Sequence, residues 1–405
     1  MKKALLAMAV AASSATFIGA AQADEVKIGF LGGFTGPIES LTPPIFDGAQ
    51  LAVQHVNEQG GILGGQTLVM PNADTTCADA SAASNAADRM VNTENVTAIV
   101  GALCTGATVA AANNAGIPGG VVMVSPASTA PAVTDLDDND LVFRTVPSDA
   151  FQGEMLARLL VSKGITDAAV TYVNNDYGQG LADAFNATFE AEGGMVSASE
   201  AHEDGRADYR SELGSLSSGG SETLVVLAYA DGSGQTILRQ AYESGMFTQY
   251  VGADGMVGDS LVEAIGADVL EGMIATRPGS PDTPGTETFE ALAAEADIDP
   301  SAVFAAQAYD AAFLLALAIE QNGSAEREGL SEALRSVASA PGEQILPGEW
   351  EKAVELIAAG EEIDYEGASG SHEFDENGDV PGVVIEMVVE DGSFVSQGFL
   401  DPEAL

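Results

Sequence analysis

Short apolar runs alternate along this chain with amphipathic helical segments, in an order that runs once and then begins again. That alternation constrains the fold more than any single motif. Residues 26–31 read as a strand and residues 46–57 as a helix with apolar side chains at helical spacing. Residues 66–70 form a second expected strand, 78–91 a helix, 97–103 a third strand, 106–115 an Ala-rich helix and 121–124 a further strand. After Asp149 the pattern restarts, with helices at 151–162, 181–191 and 235–244 and strands at 168–173, 223–228 and 249–252. Parallel neighbours are joined only by long crossovers, so this order requires mostly parallel sheets with helices on both faces. The expected fold class is α/β, with two doubly wound lobes built on parallel-sheet cores and meeting near residues 143–147. The tail departs from the pattern. Residues 302–321 read as one long apolar helix, 327–337 and 350–359 as helices, and 383–389 with 392–399 as an antiparallel hairpin. Residues 277–286 are rich in Pro, Gly and Ser and read as a crossover.

Composition narrows the function classes. Fourteen Lys and Arg face 61 Asp and Glu, a formal charge of −47. The apolar fraction of 46% is too high for a disordered acidic polymer. A surface this negative excludes nucleic acid as a partner and argues against an anionic membrane, because phosphate contacts need a basic patch. The first 23 residues read as a secretory signal. Lys2 and Lys3 start it, residues 4–12 are an apolar run too short to span a bilayer, and Ala21-Gln22-Ala23 offers a small-x-small cleavage site before Asp24. Cleavage would remove two lysines and no acids, leaving −49. The product is expected outside the cytoplasm. Two cysteines remain, Cys77 and Cys104, in a compartment that permits disulfides. A bridge would close a loop of about 27 residues and stabilise by roughly 3 to 4 kcal/mol; the other reading is a pair of unrelated buried thiols.

In open α/β sheets ligands bind beyond the carboxyl ends of the strands. Those ends carry Gly32-Gly33-Phe34-Thr35-Gly36-Pro37, Cys104-Thr105-Gly106, Ser125-Pro126-Ala127-Ser128-Thr129, Asn174-Asn175-Asp176-Tyr177-Gly178, Tyr229-Ala230-Asp231 and Ala253-Asp254-Gly255. Thr105 and Thr129 precede or open helices, where free N–H groups and the helix dipole favour a carboxylate. Asp254 is a complementary partner for an ammonium. The pairing suits a zwitterion such as an amino acid. Taken singly, each of these residues reads as an ordinary N-cap or turn residue before it reads as a ligand contact.

These stretches, together with Asn57-Glu58-Gln59-Gly60-Gly61-Ile62, Ile99-Val100-Gly101, Gln179-Gly180, Leu238-Arg239-Gln240-Ala241 and Phe374-Asp375-Glu376-Asn377-Gly378-Asp379, carry a resemblance. In order along the whole chain after residue 23, it is similar to the type I periplasmic solute-binding proteins of the leucine/isoleucine/valine-binding family, which serve ABC importers. The resemblance implies two lobes joined by a multi-strand hinge. The lobe division expected is 24–145 with about 275–350 in the N-terminal lobe, and 146–274 with about 351–405 in the C-terminal lobe. It implies a Cys77–Cys104 disulfide, carboxylate contacts at Thr105 and Thr129, and ammonium contacts at the Ala127 carbonyl, the Thr129 hydroxyl and Asp254, with Ser128 in the same loop. Tyr177 matches an aromatic that closes over the ligand, and Tyr229 lies near another such position. Leu41 stands where an aromatic often covers the ligand side chain. Glu39 and Asp231 are acids near positions expected to be neutral, which leaves polar, cationic or amide ligands open beside the branched-chain amino acids. The implied protein is not an enzyme and carries no cofactor or metal. It is a monomer that captures an amino acid and delivers it to an ABC permease in the inner membrane, or else feeds a sensor or chemoreceptor.

Two other motifs invite different chemistry. Gly258-Asp259-Ser260-Leu261 spells a sequence used by secreted esterases of α/β fold, but His372 lacks the Asp-x-x-His context and a helix N-cap at Asp259 or Ser260 explains the run. Residues 375–379 resemble part of a calcium loop without its spacing, and their Asn-Gly reads as a turn between strands. His55, His202 and His372 are too dispersed in sequence to read as a metal cluster. Phe304 and Phe313 read as a core stripe of the long helix.

Overall fold

A computed structural model describes residues 25–405; the signal segment read at residues 1–23 and the cleavage point before Asp24 lie outside the described residues. The first apolar runs assemble as expected. Strands β1 (Glu25–Gly32), β2 (Thr67–Val69), β3 (Asn72–Asp74), β4 (Ala98–Gly101), β5 (Val122–Ser125) and β6 (Val142–Arg144) form a parallel sheet in the order β2-β1-β4-β5-β6, with β3 also on β1. Strands β4 and β5 are buried at every residue, as strands covered by helices on both faces must be. The second half repeats the plan. Strands β7 (Asp167–Val173), β8 (Met195–His202), β9 (Thr223–Leu227), β10 (Gln249–Gly252) and β11 (Ile274–Gly279) run parallel in the order β11-β10-β9-β7-β8.

The chain then returns to the first half through helices Pro284–Glu295, Ala305–Asn322, Leu330–Ala338 and Trp350–Ala359. Strands β12 (Glu343–Ile345), β13 (Ile363–Gly367) and β14 (Gly370–Ser371) make a small sheet there. Finally β15 (Val383–Glu390) and β16 (Ser393–Phe399) form the expected hairpin and add antiparallel to β11. The chain therefore crosses between lobes three times, which is the multi-strand hinge. The tail is divided differently from the expectation. Residues 274–279 belong to the second sheet, so the return to the first lobe follows Gly279. Helix Trp350–Ala359 stays on the first lobe, where the Trp350 indole donates to the Gly61 carbonyl at 2.9 Å and the Glu351 N–H to Gln59 Oε1 at 3.0 Å. Among the described residues no helix is long and apolar enough to cross a membrane.

Helix Ala305–Asn322 is buried on every side from Ala305 to Ile319. An all-round apolar helix has no solvent face to offer, and this one packs along helix Thr42–Glu58. The close approach depends on Gly48, since a Cβ there would stand 2.3 Å from the Ala305 carbonyl oxygen. Strand β8 has no counterpart in the sequence reading. It lies at the sheet edge with mostly half-exposed residues, so its composition is polar rather than a buried apolar run.

One buried charge ties two of the crossings together. Arg144, fully buried at the end of β6, pairs with Asp379 through Nε (2.6 Å) and Nη2 (2.7 Å). Its Nη1 donates to the carbonyls of Thr129 (2.7 Å) and Ala130 (3.1 Å). The third crossing is thereby fastened to the first and to the loop that carries Ala127 and Thr129. The run 375–379 does form a turn, with Gly378 at φ 75° and Asp375 N–H donating to the Asp379 carbonyl at 2.9 Å. It joins no hairpin; it shapes the third crossing.

Candidate ligand site between the lobes

The carboxyl ends of strands from both sheets face each other across a cavity with about 360 Å³ of atom-free space, its mouth included. The lobes are shut upon it. The Ser40 N–H donates to Asp231 Oδ2 at 2.7 Å, the Asp231 N–H to the Pro37 carbonyl at 3.2 Å, and the hydroxyls of Ser40 and Ser260 lie 2.9 Å apart.

Part of the cavity lining comes from the strand ends that carry polar groups. Cys104 and Thr105 follow β4, Ala127 follows β5, Tyr177 follows β7, Tyr229 follows β9, and Asp254 with Gly255 follows β10. Asp254, 3% exposed, accepts from Gln152 Nε2 at 2.9 Å and from the Tyr177 hydroxyl at 3.0 Å. Burial pushes its carboxyl up to about 6, against the pull of those two hydrogen bonds. The Tyr177 hydroxyl also accepts the Gly255 N–H at 3.2 Å, and the two tyrosine rings stack with centroids 5.1 Å apart. Burial, then the charge of Asp254, keeps the Tyr177 phenol neutral well above its ordinary range. Gly255 is required by space, because a Cβ would lie 2.6 Å from the Ala228 carbonyl and 2.9 Å from the Tyr177 hydroxyl.

The rest of the lining is apolar: Ile38, Leu41, Ile45, Leu103 and Phe304. Phe304 is buried in the core, as the sequence suggested, and it also lines the cavity. The helix starts one residue later, and Phe304 sits before it at φ 63° with its side chain on the cavity wall. A phenylalanine in the left-handed region is costly, and such positions persist where the surroundings dictate them. Phe313 packs in the core as well.

The expected site residues divide into three groups. Leu41, Thr105, Ala127, Tyr177, Tyr229 and Asp254 all line the cavity. Ser128 and Thr129 are buried behind it. The Ser128 hydroxyl is engaged by Thr108 Oγ1 at 2.7 Å and donates toward the Leu103 carbonyl at 3.2 Å, holding the loop. Glu39 is exposed, and the carboxylate of Asp231 is occupied in the inter-lobe bond to Ser40, so neither acid stands among the cavity-lining residues. The disulfide joins Cys77 and Cys104 with Cα atoms 5.6 Å apart and anchors the loop that presents Thr105.

Two polar residues escaped the sequence reading. Gln152 orients Asp254, and Asp149, wholly buried one turn earlier, lies against the Thr129 carbonyl that accepts its N–H at 2.8 Å. Asp149 looks like an ordinary first-turn acid of helix Asp149–Ser162, and only its burial marks it. The esterase-like run is placed differently from expectation. Helix Asp259–Ile265 is capped by Gly258 without a side-chain bond, and Ser260 meets Ser40. His372 instead sits beside Asp310 (3.4 Å) and Ser369 (3.4 Å), on the first-lobe side of the hinge.

The comparisons agree with this geometry. A leucine-, isoleucine-, valine-, threonine- and alanine-binding protein of Pseudomonas aeruginosa is 32% identical over 317 residues, 78% of this chain and 83% of its own length. The crystal structure of a leucine binding protein from Thermotoga maritima superposes with a TM-score of 0.79 at 28% identity, covering 94% of this chain and all of that one. A substrate-binding protein of an ABC transporter from Desulfitobacterium hafniense, in complex with Leu, superposes with a TM-score of 0.70 at 26% identity, covering 92% of this chain and all of that one. Residues 25–351 match the family described as periplasmic binding protein, and the chain belongs to that family.

Proposed function

We propose that this protein captures an aliphatic L-α-amino acid of the leucine, isoleucine and valine type in the periplasm and delivers it to an ABC permease of the inner membrane. The observation that carries the reading is a cavity lined by both polar groups and apolar side chains. Asp254 and the Ala127 carbonyl suit an ammonium, Thr105 suits a carboxylate, and Thr129 supports the loop between them. Ile38, Leu41, Ile45, Leu103 and Phe304 suit a branched apolar side chain and leave a cationic or amide side chain without a partner. The names of the relatives favour the same ligands. Tyr177 and Tyr229, from the second lobe, complete the site only when the lobes are shut, so the ligand stabilises closure through contacts the open form lacks. The closed protein, acting as a monomer without cofactor, is the species the permease would receive.

A thermal-shift screen tests this, because a ligand that binds only the native state raises the melting temperature. L-leucine, L-isoleucine and L-valine are expected to raise it, and L-lysine, L-glutamine and benzoate to leave it unchanged. A rise with benzoate or lysine alone would overturn the assignment.

A further inference from the structure

Gln152 is fully buried, one turn into helix Asp149–Ser162, and its amide stands between two acceptors. Nε2 donates to Asp254 Oδ1 at 2.9 Å and to the carbonyl of Thr276, on β11, at 3.2 Å. A carboxylate and a carbonyl on the same side fix which way the amide points, because only its NH2 group can donate. Oε1 is then left buried without a partner. A buried amide that uses both hydrogens and leaves its oxygen unpaired is held there for what it donates, since an unpaired buried acceptor is a cost an apolar side chain would avoid.

The hydrogen bonds to Asp254 are one-sided. The Tyr177 hydroxyl reaches the same oxygen, Oδ1, at 3.0 Å, and is itself fixed by accepting the Gly255 N–H at 3.2 Å. Oδ2 takes no hydrogen bond from the described residues and keeps some exposure, and Asp254 lines the cavity. One oxygen is thus occupied by two fixed donors and the other is left for a partner.

We propose that Gln152 is the positioning residue of the ammonium site: from behind the cavity wall it holds Asp254 by Oδ1, in the ionised form, so that Oδ2 is the oxygen presented to the ligand's ammonium. Gln152 is not among the cavity-lining residues and acts only through Asp254. Through Thr276 it ties that acid to β11, the strand that leads into the second crossing. Burial pushes the Asp254 carboxyl up to about 6, and the donors on Oδ1 pull against it, so losing one of them moves the carboxyl further up. The other titratable groups that face Asp254 are Tyr177, Tyr229 and Asp149. Burial keeps both phenols neutral well beyond neutral pH. Burial first, and then the charge of Asp254, holds the Asp149 carboxyl above the usual carboxylate range. These groups are common to the intact protein and to a Gln152 variant, so a displacement between the two reports the amide.

The inference rests on the amino-acid reading of the site, and its test separates the two. L-leucine affinity is measured calorimetrically from about pH 5 to about pH 8 in the intact protein and in Gln152→Met, which keeps the length of the side chain and removes the donor. The ammonium needs the charged acid, so affinity falls as pH is lowered through the carboxyl's range. In the variant that fall is expected to begin about one pH unit higher, so the loss of affinity is several-fold greater at about pH 6.5 than at about pH 8. A loss equal at every pH, or no loss, would overturn the role given to Gln152 and leave the ligand assignment standing. Should the variant fail to fold, NMR of the ligand-free intact protein decides. The Gln152 Nε2 protons are expected to shift with pH as Asp254 titrates, and a signal that does not change with pH would overturn the inference. Absence of leucine binding to the intact protein would overturn the amino-acid assignment instead, while the NMR titration would still test the contact.

Discussion

Asp254 is where the polar lining of the cavity concentrates its cost, a buried carboxyl held by one amide and one phenol. Asp254→Ala removes the ammonium's partner from a desolvated site and is expected to weaken L-leucine by more than about tenfold in calorimetry, leaving the fold intact. Unchanged affinity would refute the zwitterion reading. The pH dependence follows from the raised carboxyl. The ammonium needs the charged form, so affinity is expected to fall as pH is lowered through about 6. For the empty protein the sign is opposite. An acid raised above its unfolded value favours the folded state at low pH, and that contribution is lost as pH rises through about 6. Asp254, Thr105 and Tyr177 were legible because a polar residue after an apolar run marks a strand end. Ile38, Ile45 and Phe304 were not, since an apolar residue on a cavity wall reads the same as one in the core. Asp149 was hidden by the first-turn preference of acids, which explains it without any site.

Between elements, the turn after β1 meets the turn after β9 through backbone groups and a single carboxylate. Asp231 reads in the sequence as a specificity residue because it is an acid near a position that the resemblance expects to be neutral; the turn aims it instead at the Ser40 N–H. Asp231→Ala is therefore expected to speed leucine release several-fold in stopped-flow fluorescence while leaving the preference among leucine, isoleucine and valine unchanged. An altered preference would return Asp231 to the ligand. The disulfide acts at the same scale by fixing the loop before Thr105. Replacing Cys77 and Cys104 with serine is expected to cost roughly 3 to 4 kcal/mol in denaturant unfolding if chain entropy dominates. The parallel strands and their helices were legible from apolar periodicity. Strand β8 was not, because an edge strand with a solvated face lacks the apolar run on which that reading depends.

At the scale of the molecule, three crossings, the first and third tied together by Arg144 and Asp379, let two lobes of one design close on a shared cavity. Where the tail returns to each lobe depends on packing between distant segments, such as Trp350 on Gly61, which no local pattern encodes. The charge of −47 spreads over this two-lobed surface and opposes compaction. Added salt screens it, so the melting temperature of the ligand-free protein is expected to rise between about 0.1 M and 1 M NaCl; a flat response would show that self-repulsion is not limiting. The central claim is that both charges of an amino acid and its apolar side chain are read at once. It is tested by calorimetric titration with L-leucine, 4-methylpentanoate, which lacks the amine, and 3-methylbutylamine, which lacks the carboxylate. The account predicts a single-site isotherm for leucine and binding at least about a hundredfold weaker for each analogue, since each leaves a buried polar partner unpaired. Equal affinity for 4-methylpentanoate and leucine would contradict it.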